Sequence, residues 1–289
     1  MTQARLVADV GGTNTRLCLA LGGVLRRESL RSYRNDDFGG FADVARAYLV
    51  ASNAEGVTEA VVAIAGPVTN QKGRLTNRDW PFHSATLAEV LPEARLHLIN
   101  DLSALGYSVP KLEAAHLDPI LTAPPPAADI EQALVIGVGT GFNVSCMIRA
   151  GGRTLCPEAE MGHVPLPFDV RARLVDGIGA RATAFITNEH LFSGRGYQTV
   201  ESAYQGEDFA GFYAELLGIF ARGALLAFMP RRGIYFSGGV ARNLLATEAR
   251  ERFIAAFRQP LPLDVDLVVP VYAILDDSAA LMGCADYAF

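Results

Sequence analysis

Two short glycine-rich stretches, each set between apolar runs, constrain this chain more than anything else in it. The first is Asp9-Val10-Gly11-Gly12-Thr13-Asn14-Thr15-Arg16. Leu6, Val7, Ala8 and Val10 lead into it, and Leu17, Cys18, Leu19 and Ala20 lead out. This spacing predicts two strands joined by a hairpin whose glycine tip leaves the backbone bare. Alone, a Gly-Gly between strands is most often a tight turn and nothing more. Here a carboxylate precedes it and a Thr-Asn-Thr-Arg run follows, more polar side chains than a plain turn needs. Successive N–H groups at such a tip form an anion-binding nest, and a neighbouring carboxylate can hold a hydrated Mg²⁺. Nucleotide phosphate is the expected ligand.

The second stretch repeats the plan. Residues 133–138 read as a strand, Gly139-Thr140-Gly141 as the tip, 142–148 as the return, Gly151-Gly152 as a turn, and Thr154-Leu155-Cys156 as the start of a third strand. The first unit has a matching turn at Gly22-Gly23, after which 24–30 is expected to complete a three-stranded meander. A duplicated hairpin unit predicts two related lobes facing one another across a cleft, one turn from each gripping a single polyphosphate.

The 289 residues suffice for two domains with a substantial core. Half of them are hydrophobic, 19% are charged and the net charge is −6, which gives a globular chain without the basic stripe of a nucleic-acid binder. The N-terminus enters a strand almost at once, and no apolar stretch is expected to reach the ~20 residues needed to span a bilayer. Cys18, Cys146, Cys156 and Cys284 lie far apart, in neither a disulfide framework nor a metal-ligand pattern. They are expected to be reduced, mostly buried cysteines of a cytoplasmic protein with small-molecule partners, no nucleic acid and no membrane.

Between the two hairpin units, Phe41, Val44, Ala45, Tyr48 and Leu49 recur at helical spacing, and the apolar run 59–65 ends at Gly66-Pro67. A helix is expected over 86–91 and a strand over 96–99, followed by a helix from Asn100-Asp101 towards Val109. Pro124-Pro125-Pro126 reads as a surface connection. In the second half the spacing predicts a long helix over 208–229 and a strand at Ile234-Tyr235-Phe236 running into Ser237-Gly238-Gly239. Helices after Val240 and over 248–257, a late strand over 265–272, and a helix over 277–288 packing back on the first lobe complete the chain.

Seven segments together resemble the bacterial glucokinase family of the hexokinase and actin-like ATPase superfamily. They are 9–16; Ala65-Gly66-Pro67-Val68 with Thr76-Asn77 and Trp80; Asn100-Asp101; 137–141; Glu160-Met161-Gly162-His163; Glu189 with Ser193-Gly194; and Ser237-Gly238-Gly239-Val240. The resemblance implies an α/β fold of two actin-like ATPase (ribonuclease H-like) lobes, with mixed sheets flanked by helices. The lobes are expected at 1–109, a small lobe completed by a C-terminal helix 276–289, and at 110–275, a large lobe. The activity implied is transfer of the ATP γ-phosphoryl group to the 6-hydroxyl of D-glucose, with Mg²⁺. A kinase for another hexose, or a sugar-binding regulator without turnover, stays open, as does a homodimer.

In residue terms the resemblance implies Asp101 as general base. A helix N-cap is the structural alternative for it. Asn100, Glu160, His163 and Glu189 would hold sugar hydroxyls together with Asp101. Asp9, Gly11, Gly12, Thr13, Asn14, Gly139, Thr140 and Gly141 would hold phosphates, with Asp9 reaching the metal through water, and Gly238 and Gly239 would line the adenosine side. Glu160 and His163 are three apart, a metal-ligand spacing, yet no Cys or His cluster supports zinc. Gly137 to Phe142 starts like a dinucleotide fingerprint, but Phe142 takes the third glycine position and a strand follows. No Walker-type Lys or nucleophile elbow is present. Asn143 stands where the family usually has Gly, Met161 replaces a Gly beside the sugar carboxylate, Arg195 replaces a Pro, and the region between Gly196 and Gly233 is shorter than usual.

Overall fold

The structure is a computed structural model and describes residues 4–54, 56–75, 78–83, 88–123, 131–261 and 267–288. The chain forms two compact units, Met1–Leu112 with Asp277–Phe289, and Glu113–Asp276. Thr76-Asn77, the triple proline and residues 84–87, which include the start of the helix expected over 86–91, lie outside the described residues.

In the first unit the strands are β1 (Ala4–Val10), β2 (Asn14–Leu21), β3 (Val24–Leu25), β4 (Arg31–Arg34), β5 (Val57–Ile64), β6 (Val68–Thr69), β7 (Lys72–Arg74), β8 (Pro81–His83) and β9 (Arg95–Asn100). The main sheet runs β3-β2-β1-β5-β9, with β4 also on β2. β1 is antiparallel to β2 and parallel to β5, and β5 is parallel to β9. The strand expected over 24–30 breaks after Leu25. Arg27–Ser29 forms a turn of 3₁₀ helix, and the Ser29 hydroxyl accepts the Leu19 N–H at 2.9 Å. A side chain replaces a ladder bond there, and the chain turns back onto the other end of β2 as β4.

β1 at 6–8 and β5 at 60–64 are apolar on both faces because both faces of the sheet are covered there. Leu6, Ala8 and Val10 pack with Phe41, Val44, Ala45 and Tyr48 of α1 (Phe41–Ser52). Side chains alternate along a strand, so Asp9 falls on the opposite face. On that side α2 (Asp101–Ser108) packs against the C-terminal helix, Ala279–Asp286. Arg5 fastens that helix to β1 by donating to the carbonyls of Ala285 at 2.8 Å and Tyr287 at 2.7 Å.

The second unit contains β10 (Leu117–Leu121), β11 (Glu131–Val138), β12 (Phe142–Ala150), β13 (Arg153–Leu155), β14 (Gly233–Ser237) and β15 (Val271–Ile274), in the order β10-β15-β14-β11-β12-β13. Its helices are α3 (Phe168–Ile178), α4 (Asn188–Phe192), α5 (Gly194–Ala203), α6 (Phe209–Phe228), α7 (Gly239–Leu245) and α8 (Arg250–Phe257). The five strands β13-β12-β11-β14-β15 repeat the pairing of β3-β2-β1-β5-β9, antiparallel then parallel. The duplication seen in the glycine tips thus extends to the whole sheet topology.

Two expectations are corrected here. The late strand begins at Val271, because Pro270 has no N–H to give a ladder, although its carbonyl accepts from Ile234. The apolar segment Phe209–Phe228, with only Glu215 and Arg222 charged, is long and apolar enough to cross a membrane. That segment is α6, and it is apolar because it is the central helix of the second core, where Phe212, Tyr213, Leu216, Leu217 and Phe220 are all buried.

Candidate functional site

The β1–β2 turn is shaped from outside itself. Asn35, fully buried, donates from its Nδ2 to Gly11 O and from its backbone N–H to Thr13 O, both at 2.8 Å, and accepts from Thr15 Oγ1 at 2.8 Å. Arg78 donates from Nε to Gly12 O at 3.1 Å; it also pairs with Asp36 and lies 5.2 Å over Trp80. All three carbonyls of Gly11-Gly12-Thr13 are therefore held inward. Gly11 N–H is used within the turn, on Asn14 O, and the N–H groups of Gly12 and Thr13 have no hydrogen-bond partner among the described residues. Tethered carbonyls with unengaged amides are the arrangement an anion nest requires. Sequence spacing gave no signal for Asn35 or Arg78, which reach the turn from far along the chain.

Asp9 is the next-to-last residue of β1, beside Arg16, its cross-strand neighbour, with Arg16 Nη1 to Asp9 Oδ2 at 3.5 Å. Desolvation raises its pKa above the ordinary carboxylate value; Arg16 opposes the rise and Asp277 adds to it. Asp101 opens α2 at the end of β9. The structure gives the N-cap to Asn100, whose Oδ1 accepts from Leu102 N at 3.0 Å and Ser103 N at 3.3 Å while its Nδ2 donates to Gly66 O at 3.1 Å. Asp101, partly buried, accepts from Leu102 N at 2.9 Å. Burial, and then the charge of Asp9, push its pKa up to about 7. The cap thus belongs to Asn100, and the raised carboxyl to its neighbour Asp101.

In the second unit the Gly139-Thr140-Gly141 tip repeats this logic. Gly139 O accepts from Gly194 N at 2.7 Å, and Gly139 N donates to Gly141 O at 3.0 Å. Gly238 has φ +91°, and a Cβ there would lie 2.4 Å from Val138 O, so only glycine lets the end of β14 pass this close to the tip. Beside them is a cavity of about 510 Å³, lined among others by Thr140, Tyr197, Gly239, Val240 and Asn243. It is mostly apolar with a few polar groups, the character of a small-molecule site.

Glu160, His163 and Glu189 also lie in this unit, the first two at one short turn. Glu160 precedes the single 3₁₀ turn Met161–His163, and both Glu160 and His163 are exposed. Glu189, in α4, accepts the Phe142 N–H at 3.4 Å. A Cβ at Gly162 would meet Glu189 Oε2 at 3.3 Å and Phe142 O at 2.3 Å, which packs the Glu160 turn tightly on the Glu189 carboxylate. Asn188, fully buried, donates to Met161 O at 2.8 Å, and Asn143 bonds the same turn. These two asparagines were not among the expected site residues. Arg195, one of the departures noted above, is solvent-exposed in the first turn of α5, and nothing in the structure explains its replacement of Pro.

Among the described residues no group of three or more His, Cys, Asp or Glu could hold a metal ion directly. The oxygen of Asp9, short of positive charge apart from Arg16, instead fits an ion that keeps most of its own water, as Mg²⁺ does. All four cysteines are free and buried. Burial pushes the Cys156 thiol up to about 12, so it is not a nucleophile at neutral pH.

The family model described as Glucokinase matches residues 6–211 and 201–289. The chain belongs to the glucokinase family. It is 29% identical to the glucokinase of Ralstonia nicotianae, over 97% of this chain and 94% of that one. In fold it is similar to the crystal structure of glucokinase from an Antarctic psychrotroph, with a TM-score of 0.82 at 23% identity, covering 99% and 98% of the two chains. A ROK family glucokinase from Streptomyces griseus, in complex with glucose and AMPPNP, has a TM-score of 0.61 at 17% identity and covers 98% of each chain. The fold is that of the actin-like ATPase sugar kinases. As a glucokinase-family member the chain is a hexokinase-type kinase, a transferase of carbohydrate metabolism that phosphorylates glucose with ATP.

Proposed function

We propose that Asp101 is the general base, accepting the proton of the D-glucose 6-hydroxyl as that oxygen attacks the γ-phosphorus of ATP, with glucose 6-phosphate and ADP as products. The observation that carries this reading is the state of Asp101. Its neighbour Asn100 caps the helix, and its own carboxylate is raised to about 7, where a base is both ionised and strong enough to take a proton at working pH. Phosphoryl transfer asks little covalent chemistry of a protein, so orientation of the hydroxyl and neutralisation of phosphate charge carry most of the rate.

The other roles follow residue by residue. Asn100, Glu160, His163 and Glu189 bind sugar hydroxyls, as carboxylates, amide and imidazole can accept from or bridge adjacent O–H groups. The unengaged amides of Gly12 and Thr13, with Gly11 and Asn14 shaping that turn, hold phosphate oxygens, as do Gly139, Thr140 and Gly141 in the second unit. The cavity beside Gly238 and Gly239 takes the adenosine. Asp9 holds a hydrated Mg²⁺, which when bound offsets charge on the phosphates. Four unbridged thiols support a reducing, cytoplasmic setting, where the product would enter glycolysis.

Release of ADP from MgATP is the test, measured with D-glucose, with 6-deoxy-D-glucose and with no sugar. Release that needs both glucose and its 6-hydroxyl is expected. A rate independent of the sugar would overturn the reading.

A further inference from the structure

We propose that Asn143 is a positioning residue that sets the orientation of the Glu160 carboxylate and so tightens binding of the hexose. The inference rests on the reading of Glu160 as a sugar ligand. Asn143 is the second residue of β12, paired with Gly137 of β11, and its carboxamide makes four hydrogen bonds. Oδ1 accepts the N–H of Val144 and the N–H of Met161, each at 2.9 Å. Nδ2 donates to Ala159 O at 2.8 Å and to Glu160 Oε2 at 3.2 Å. Both groups facing Oδ1 are donors and both groups facing Nδ2 are oxygens, so the amide has one satisfied orientation.

The bonds to Ala159 O and Met161 N bracket Glu160 on both sides, and the fourth bond reaches its carboxylate. Glu160 is otherwise exposed, ahead of one short 3₁₀ turn. A glutamate with free side-chain torsions must be ordered each time a sugar binds, and a fixed donor on a β-strand removes part of that cost beforehand. Glycine at position 143 would supply none of these four bonds.

The experiment uses Asn143→Asp, Asn143→Gly, Glu160→Gln and the double variant Asn143→Asp/Glu160→Gln in the full chain, each checked for folding by thermal unfolding. Asn143→Asp keeps the acceptor for Val144 and Met161 but sets a second negative charge against Glu160. Its KM for D-glucose should rise about tenfold or more, at least as much as that of Asn143→Gly, with KM for ATP within about twofold of the parent. In the Glu160→Gln background the same Asp substitution should change KM for glucose by less than about twofold. Asn143→Asp also sets an oxygen against Ala159 O in place of the Nδ2 donor, so the double variant discriminates: a residue that merely braced the loop would give effects on KM for glucose that multiply independently in it, and that result overturns the proposal. If Glu160→Gln itself leaves KM for glucose unaltered, the sugar-ligand reading of Glu160 falls and the proposal falls with it. Should Asn143→Gly fail to fold, comparison of Asn143→Asp in the two Glu160 backgrounds decides alone.

Discussion

As the proposed base, Asp101 joins two properties that oppose each other in a folded protein: a base must ionise to act, and the surroundings of this carboxyl resist ionisation. Burial and the neighbouring Asp9 raise it from the ordinary 3.8 to about 7. The native state therefore binds this proton more tightly than the unfolded chain does. The resulting penalty on stability is full above about pH 7, shrinks as pH falls, and is gone below the ordinary carboxylate value. Asp101→Asn should accordingly unfold at a higher temperature than the parent at pH 8, by the equivalent of roughly 1–4 kcal/mol, with the gain shrinking at pH 5. The same variant should lose about 10²- to 10⁴-fold in kcat while still binding sugar. For the parent, kcat/KM for glucose should fall on the acid side of about pH 7 as the base is protonated, which a pH–rate profile would read directly. The sequence left cap and base both open for Asp101, because either residue of an Asn-Asp pair at a strand end can cap. The backbone decided, by putting Asn100 in the extended conformation of a cap, φ −68° and ψ 146°, and Asp101 inside the helix.

At the scale of elements, each glycine tip works through residues elsewhere in its own unit. Asn35 holds two carbonyls of the first tip from a fully buried position. Asn35→Ala would leave Gly11 O and Thr15 Oγ1 without that partner, a cost of about 1–3 kcal/mol in stability. Because the turn would relax, KM for ATP should rise more than KM for glucose, which steady-state kinetics with each substrate varied would separate. Gly238→Ala combines a disfavoured φ with a Cβ pressed on Val138 O. It should cost roughly 1–3 kcal/mol in stability and raise KM for ATP several-fold, a pairing checked by denaturant unfolding beside nucleotide titration. The glycines were legible because an apolar strand seldom ends in Gly-rich polar sequence without a reason. Asn35, Arg78 and Asn188 were not, since one asparagine or arginine in a polar stretch carries no period and no motif, and Asn143 stood out only as a departure from the usual Gly, with no role attached to it.

Over the whole molecule, the chain leaves its first unit after Leu112 and re-enters it at Asp277. The returning C-terminal helix lies so close to α2 that a Cβ on Gly283 would stand 1.7 Å from Ala104 O. Gly283→Ala should therefore push apart the two helices, destabilising the unit by about 1–3 kcal/mol. As α2 begins with Asp101, kcat should fall as well, and thermal unfolding followed by an activity assay on the folded fraction would reveal both effects. The sequence by itself determined the strands that carry the glycine tips, the duplication of the hairpin unit, the long helix 208–229 and the terminal helix, because each is written in local period and composition. Tertiary structure alone decided that Phe209–Phe228 is a core helix and not a membrane span, since an apolar helix looks the same in sequence whether protein or lipid surrounds it. It alone decided which side chains tether the tips and the Glu160 turn, and that Asp101 is raised. Those properties depend on what packs around a group, which residues distant in sequence supply and no local pattern encodes.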